Sequence, residues 1–503
     1  MAKETGHGLP LPFLNLHHNV DSPLYMQIVQ QLRKMVLGGE LKAGQRLPAT
    51  RVMMRELGVS RSTVIAAFEQ LVAEGYFTST VGKGTFVDMN VQPTKMNENS
   101  LNLEKNKVVG YSSSSISKRG KTIISNFSSS EFHPTVPRAF APNVPAIDLF
   151  PYKTWSRIEN KVRNSKRRDL MTYGDPGGYF PLREAVSEYV YSYRGIRCDP
   201  RQVIITTGTQ RSLLLVTSLL SDVGDKVLIE DPASNIVQQS FRSQGATLCP
   251  LLVDADGIDA NQLSSKNMSA KLAYMTPSCQ YPMGVTMPVA RRLDWLNWAN
   301  QNAAWIIEDD EDCEFRFLKR SIPAMASLDQ NNRVIYTWSL SNILFPALRL
   351  GIMIVPPELI EPFETANGLI DRGPNSWMQA VLFEFIQGGY LASHTRQMRN
   401  EYSRRREVLL HELSRNANGL IEPIKTESGL RIIASLSNEL CDLEVENKLN
   451  QNGISSYALS SYCQKRKDLN GLLLGFSCVP EQEIPKSVNI LMSTLRSLRG
   501  ERN

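Results

Sequence analysis

No uninterrupted apolar run in these 503 residues approaches the ~18 needed to cross a bilayer. The opening Met1-Ala2-Lys3-Glu4-Thr5-Gly6-His7 lacks the basic segment, apolar core and small-residue cleavage site of a secretory signal. A soluble, cytoplasmic protein is therefore expected. Cysteine is sparse: seven residues (198, 249, 279, 313, 441, 463, 478), odd in number, scattered and without a Cys-x-x-Cys pair. That argues against zinc or a dithiol and for reduced thiols. The six histidines (7, 17, 18, 133, 394, 411) show no ligand spacing, so no metal site is expected and hydrolase or metalloenzyme chemistry has no support. Excess charge is small as well. A net +6 on so long a chain is compatible with nucleic-acid binding and is weak evidence for it.

What is present is a globular composition, 42% apolar and 21% charged, in a length that suits about two to four domains. Ser22-Pro23 reads as a helix start, with Ser22 as side-chain cap and Pro23 at the first helical position. Tyr25, Ile28, Leu32 and Val36 recur at helical spacing until Gly38-Gly39. Residues 47–57 predict a second, short helix closed by Gly58. Ser60 then caps a third, whose Val64, Ala67, Phe68 and Leu71 face inward while Arg61, Ser62, Ile65 and Glu69 point elsewhere. Two helices about a glycine turn make a helix-turn-helix. The third would offer a turn rich in short donors and one arginine to a major groove, where arginine bonds guanine and threonine meets phosphate or a methyl. Glu74-Gly75-Tyr76-Phe77 leads to alternating residues around Gly82-Lys83-Gly84-Thr85-Phe86-Val87, a hairpin able to approach the polyanion as a wing. Taken alone, the pattern also suits a small helical bundle with scattered arginines.

Pro23-Leu24-Tyr25, Leu47-Pro48 with Arg51, Leu57-Gly58-Val59-Ser60-Arg61-Ser62-Thr63-Val64 and Glu74-Gly75-Tyr76 through Val87 resemble the GntR-family winged helix along its full length. The resemblance implies a DNA-binding domain over 20–90 and DNA contacts at Arg51, Ser60, Arg61, Ser62, Thr63 and Lys83. From 91 to 137 the chain turns polar, with Ser112–Ser115 a run of four and Lys118-Arg119-Gly120-Lys121 basic. A flexible tether without a stable core is expected there, able to add non-specific phosphate contacts.

From 138 to 503 short β-rich runs (202–206, 226–229, 272–275, 304–307, 333–336) alternate with helical ones. This predicts an α/β domain: a mainly parallel sheet covered on both faces, with ligands at the strand ends. Thr207-Gly208-Thr209-Gln210 precedes an apolar helix, where amides and helix dipole could hold a phosphate. An ordinary strand-to-helix turn reads the same way.

Tyr173-Gly174-Asp175-Pro176-Gly177-Gly178-Tyr179, Glu230-Asp231-Pro232, Thr276-Pro277-Ser278 with Gln280-Tyr281-Pro282, Glu308-Asp309-Asp310 and Phe345-Pro346 with Leu348-Arg349-Leu350-Gly351 resemble fold-type I aminotransferases, and in the right order. Joined to a GntR-like module, this is similar to the MocR-type regulators. The resemblance implies pyridoxal phosphate as cofactor, a homodimer, double-stranded operator DNA as partner and a small anionic effector. It implies Asp309 as partner of the pyridine nitrogen, and Gly208, Thr209, Gln210, Ser339, Ser341 and Arg349 as a phosphate cup.

The sequence departs from that family at the lysine. Ser339-Leu340-Ser341-Asn342 stands where the family reads Ser-x-Ser-Lys. An amide nitrogen is not a nucleophile, its lone pair being delocalised, so Asn342 cannot attach an aldehyde covalently. Ser234 and Glu311 stand where the family has ring-facing tyrosines, Cys279 where it often has histidine, and Arg431 likewise. Three readings follow: non-covalent pyridoxal phosphate, a pocket repurposed for another anionic metabolite, or a fold kept for dimerisation, the last two together ranking above the first. The expected function is a DNA-binding transcriptional regulator with no catalytic residue. The alternative is a pyridoxal phosphate-dependent transaminase with a DNA-binding appendage, whose lysine and general base would both fall at Asn342.

Overall fold

A computed structural model describes residues 14–17, 22–80, 82–91, 116–125, 138–263, 269–317, 322–370, 372–424, 426 and 428–500. The chain divides into two units, 1–113 and 114–503.

The first holds α1 (Leu24–Leu37), α2 (Thr50–Leu57), α3 (Arg61–Ala73) and the antiparallel pair β1 (Phe77–Thr80) and β2 (Gly84–Val87), in register from Phe77↔Val87 to Thr80↔Gly84. Ile28, Leu32 and Val36 of α1 meet Met53, Val64, Phe68 and Leu71 in one core closed by Phe77 and Val87. The Phe68 and Phe77 rings pack edge to face at 5.6 Å. Gly58, left-handed at φ 63°, ends α2 and lets the chain turn into α3. The Ser60 hydroxyl caps α3 by accepting from the Thr63 N–H at 3.1 Å. The expected Ser22 cap on α1 is not formed. Pro23 takes the capping position with extended backbone, placing Ser22 one residue too far out, and the Ser22 carbonyl instead accepts from Gln27 Nε2 at 2.8 Å.

The second unit begins its regular structure with α4 (Lys118–Ser125), inside the stretch expected to be tether. Arg119 Nε donates to the Ser243 carbonyl at 3.0 Å, and the same guanidinium bonds the Gln244 side chain. A basic octet this short has no core of its own, so its helix depends on docking.

The large sheet has the order β3-β10-β9-β8-β7-β4-β5-β6. Its strands are β3 (Val203–Thr206), β4 (Lys226–Asp231), β5 (Thr247–Asp254), β6 (Gly257–Ile258), β7 (Leu272–Met275), β8 (Trp305–Asp309), β9 (Val334–Ser339) and β10 (Gly351–Ile354). Neighbours from β9 through β5 are parallel, whereas β10 runs against β3 and β9, and β6 against β5. Helices α5 (Tyr152–Asn164), α6 (Phe180–Arg194), α7 (Thr209–Leu220), α8 (Asn235–Ser243) and α9 (Val289–Gln301) belong to this domain, as do α10 (Ile360–Ile370), α11 (Ser376–Gln387) and the 27-residue α12 (Tyr390–Asn416). The central strands are buried on both faces, which is why they read as continuous apolar runs. An antiparallel sheet, β11-β12-β14-β13, follows from β11 (Ile421–Ile424), β12 (Arg431–Leu436), β13 (Tyr457–Ala458) and β14 (Gly471–Gly475), with α13 (Asp442–Gln451) and α14 (Ile484–Gly500).

One close approach fixes the sheet's functional edge. A Cβ on Gly351, which opens β10, would lie 2.7 Å from the Gly208 Cα. Only glycine lets the turn between β3 and α7 settle there. Among the described residues no helix is long and apolar enough to cross a membrane.

Candidate functional site

On the first unit, Arg51 lies exposed in the first turn of α2, while Arg61 and Ser62 lie exposed at the start of α3, with Thr63 half-buried beside them. Ser60 is committed to its own turn. Its hydroxyl stands 2.7 Å from Ser62 Oγ and 2.8 Å from Thr63 Oγ1, besides capping the helix. Lys83 is exposed at the hairpin, where its N–H closes the turn onto the Thr80 carbonyl at 3.0 Å. The structure adds Arg46, which the sequence motifs do not include. Arg46 bridges to Phe86 of β2, and its Nε would lie 3.3 Å from a Cβ on Gly84, so an exposed cation accompanies Lys83 along the wing. No local pattern signals that pairing, because the partners are 40 residues apart.

On the second unit, a cavity of about 190 Å³ opens where β8, β9 and the turn into α7 end. Thr209, Gln210, Asp309, Ser339, Ser341 and Asn342 line it, with Ser234, Ile236 and Val237 at the start of α8. Gly208 and Arg349 do not line it. They meet each other next to Thr209, the guanidinium 3.6 Å from the point where a Gly208 Cβ would sit. Gly208, at φ 108°, occupies the capping position of α7, so the opening amides of that helix stay free of side-chain caps. Ser339 Oγ accepts from the Ser341 N–H at 3.2 Å, drawing both hydroxyls into one turn.

The acidic run after Trp305 is distributed by strand alternation and by the turn that follows. Glu308 accepts from the Met325 and Ala326 amides at 2.8 and 2.7 Å. Asp309 accepts from the Tyr274 hydroxyl at 2.8 Å and the Thr337 hydroxyl at 3.2 Å, and burial pushes its carboxyl up to about 6 despite both donors. Asp310 faces away, held by Arg194 at 2.6 Å and the Tyr336 hydroxyl at 2.6 Å. Glu311 and Asp312 face the cavity. Asn342 Nδ2 donates to both, at 3.3 Å to Glu311 Oε1 and 2.9 Å to Asp312 Oδ1. Burial pushes Glu311 up to about 8, reinforced by Asp312 and Asp309 and opposed by Arg431 and Asn342.

Arg431, on β12, is buried and committed to Asp312 at 2.9 Å and Asn143 Oδ1 at 3.2 Å. Its guanidinium lies 4.0 Å from the Tyr281 ring centroid. The absence of aromatics at 234 and 311 does not strip the cavity of aromatic surface, because Tyr281 joins its wall from another loop. In the sequence Tyr281 belongs to a motif that does not place it in the cavity. Its position follows from the packing of that loop against β12, which no spacing encodes. Cys279 is fully buried, and burial pushes its thiol up to about 11, so it is neutral.

Residues 24–87 match the family of bacterial regulatory proteins of the gntR type, and residues 147–466 match aminotransferase class I and II. The chain is 34% identical, over 97% of both sequences, to the probable rhizopine catabolism regulatory protein MocR of Rhizobium meliloti. It is 26% identical to the pyridoxine biosynthesis transcriptional regulator PdxR of Corynebacterium glutamicum, covering 94% of this chain and 95% of that one. Among solved structures it is similar to the multiple substrate aminotransferase of Thermococcus profundus, with TM-score 0.68, 25% identity, and coverage of 77% of this chain and 99% of that one.

Proposed function

The chain belongs to the MocR-type regulators, GntR-family winged helices fused to an aminotransferase class I and II domain, and from that premise we propose that the large domain senses a small ligand rather than catalysing amino transfer. It is a DNA-binding transcriptional regulator. In our reading Arg61, Ser62 and Thr63 meet base edges and phosphates, with Ser60 positioning their turn, while Arg51, Lys83 and Arg46 contact the backbone. The operator is bound by a homodimer in the cytoplasm, each winged helix (20–90) tethered through 91–137 to the sensor (138–503).

Asn342 carries the sensor reading. The fold family implies pyridoxal phosphate, and part of the site suits it: hydroxyls and opening helix amides for a phosphate, and Asp309 for a ring nitrogen. The wall does not suit covalent attachment, since the residue in reach is an amide whose nitrogen is spent on two carboxylates. The cavity has a mechanical outlet in α8, which touches it through Ile236, Val237 and the capping Ser234 at one end and holds Arg119 of α4 through Ser243 and the capping Gln244 at the other. A change at the cavity would reach the segment leading to the DNA-binding unit along one nine-residue helix.

The test is to map the operator by genomic footprinting, then titrate it with the full chain by fluorescence anisotropy with and without phosphorylated metabolites. Ligand-dependent operator affinity without amino transfer between amino and oxo acids is expected. Turnover of such a pair would favour the transaminase.

A further inference from the structure

We propose that the cavity takes a small phosphomonoester bearing a protonated amine, held non-covalently, with Glu311 and Asp312 seating the ammonium. The inference rests on the cavity being the ligand site argued above, and adds the chemistry of what it selects.

Three carboxylates, Asp309, Glu311 and Asp312, line the cavity, against one buried guanidinium, Arg431. They are unequally satisfied. Asp309 accepts from two hydroxyls, and Asp312 has Arg431 at 2.9 Å and Asn342 at 2.9 Å. Among the described residues Glu311 has a 3.3 Å bond from Asn342 and nothing stronger. Since Asn342 offers both carboxylates the same nitrogen, Glu311 and Asp312 converge on one small region beside it. A neutral amide is a weak donor for two carboxylates, whereas an ammonium has three donors and makes charge-assisted bonds roughly twice as strong.

Another part of the lining has the reverse character. Thr209 opens α7 over an uncapped helix start, Ser339 and Ser341 add hydroxyls, and Arg349 stands beside Gly208. An anion belongs there and a cation on the Glu311 side. The volume of about 190 Å³ lies below the ~300–1,000 Å³ of drug-sized sites, so both charges must sit on one compact molecule. An aldehyde or an ether oxygen can only accept a proton from Glu311 and offers none to Asp312, whereas an ammonium donates to both. Burial, with Asp312 and Asp309 beside it and Arg431 and Asn342 opposing, raises Glu311 and favours its protonated form. An arriving ammonium would displace that proton to solvent.

Calorimetric titration of the full chain with matched probes tests this. Pyridoxamine 5′-phosphate and pyridoxine 5′-phosphate share ring and phosphate and differ as –CH₂NH₃⁺ against –CH₂OH. The amine should bind about 10- to 100-fold more tightly, and its binding should release protons at pH 7. Glu311→Gln should erase most of that preference, lowering affinity for the amine far more than affinity for pyridoxine 5′-phosphate, and a cooperative urea transition reports that the variant is folded. If the variant does not fold, the ratio measured on the natural chain decides. Equal or tighter binding of pyridoxine or pyridoxal 5′-phosphate would overturn the ammonium seat while leaving the cavity a ligand site. Binding of none of the three would overturn both.

Discussion

Arg431 and Asp312 form an ion pair closed off from solvent, Nη1 to Oδ2 at 2.9 Å, with the two side chains 2% and 0% exposed. Such a pair adds little over an apolar substitute, but losing one partner leaves a buried charge uncompensated. Asp312→Asn should therefore destabilise the large domain by about 3–5 kcal/mol, read as a lowered urea midpoint. A loss under about 1 kcal/mol would show that Asn143 and Tyr281 suffice to hold Arg431.

Arg61 opens the exposed turn of α3, and Lys83 sits on the wing. Arg61→Ala should weaken the mapped operator by about 1–3 kcal/mol and leave random DNA nearly unaffected. Lys83→Ala should weaken all sequences alike and make the salt slope shallower by about one unit. Equal loss on random DNA contradicts the first assignment, and an unchanged slope the second.

Much of this was legible in the sequence. The winged helix was readable because its signals are local: the Ser60 cap, the Gly58 turn, and the Val64, Ala67, Phe68 and Leu71 stripe. The parallel strands were readable because burial on both faces leaves apolar runs. What escaped depends on contacts distant in sequence. Tyr281 reaches the cavity by tertiary packing, Arg46 joins the wing across 40 residues, and α4 is helical where its residues alone promise none. Asn342 was noticed as a missing nucleophile, but its bridging of Glu311 and Asp312 required the fold.

Burial raises Glu311 from an ordinary carboxyl value to about 8. Between roughly pH 5 and 8 the unfolded chain is ionised there while the folded chain keeps the proton, so this group's stabilising contribution is lost as pH rises through that window. Glu311→Gln cannot ionise. Its stability relative to the natural chain should climb from pH 5 to 8 and then level, although Glu230 and Glu308, each raised to about 7 by burial, keep some slope in both proteins. Urea midpoints at three pH values check this, and a difference constant with pH contradicts it.

Arg119 anchors α4 to the end of α8. Arg119→Ala should leave ligand affinity and ligand-free operator affinity within about twofold of the natural chain, surface contacts of this kind being worth little in themselves, but should abolish most of the ligand's effect on the operator. An undiminished ligand response in anisotropy would show that the signal leaves the cavity by another route.

Binding without covalent attachment is what would separate this domain from a transaminase. Its most direct test is to incubate the full chain with stoichiometric pyridoxal phosphate, reduce with borohydride, and measure the intact mass and the modified peptide. An unmodified chain is expected, since the cavity offers Asn342 in place of an amine. A stoichiometric adduct on a single lysine of the large domain would contradict it.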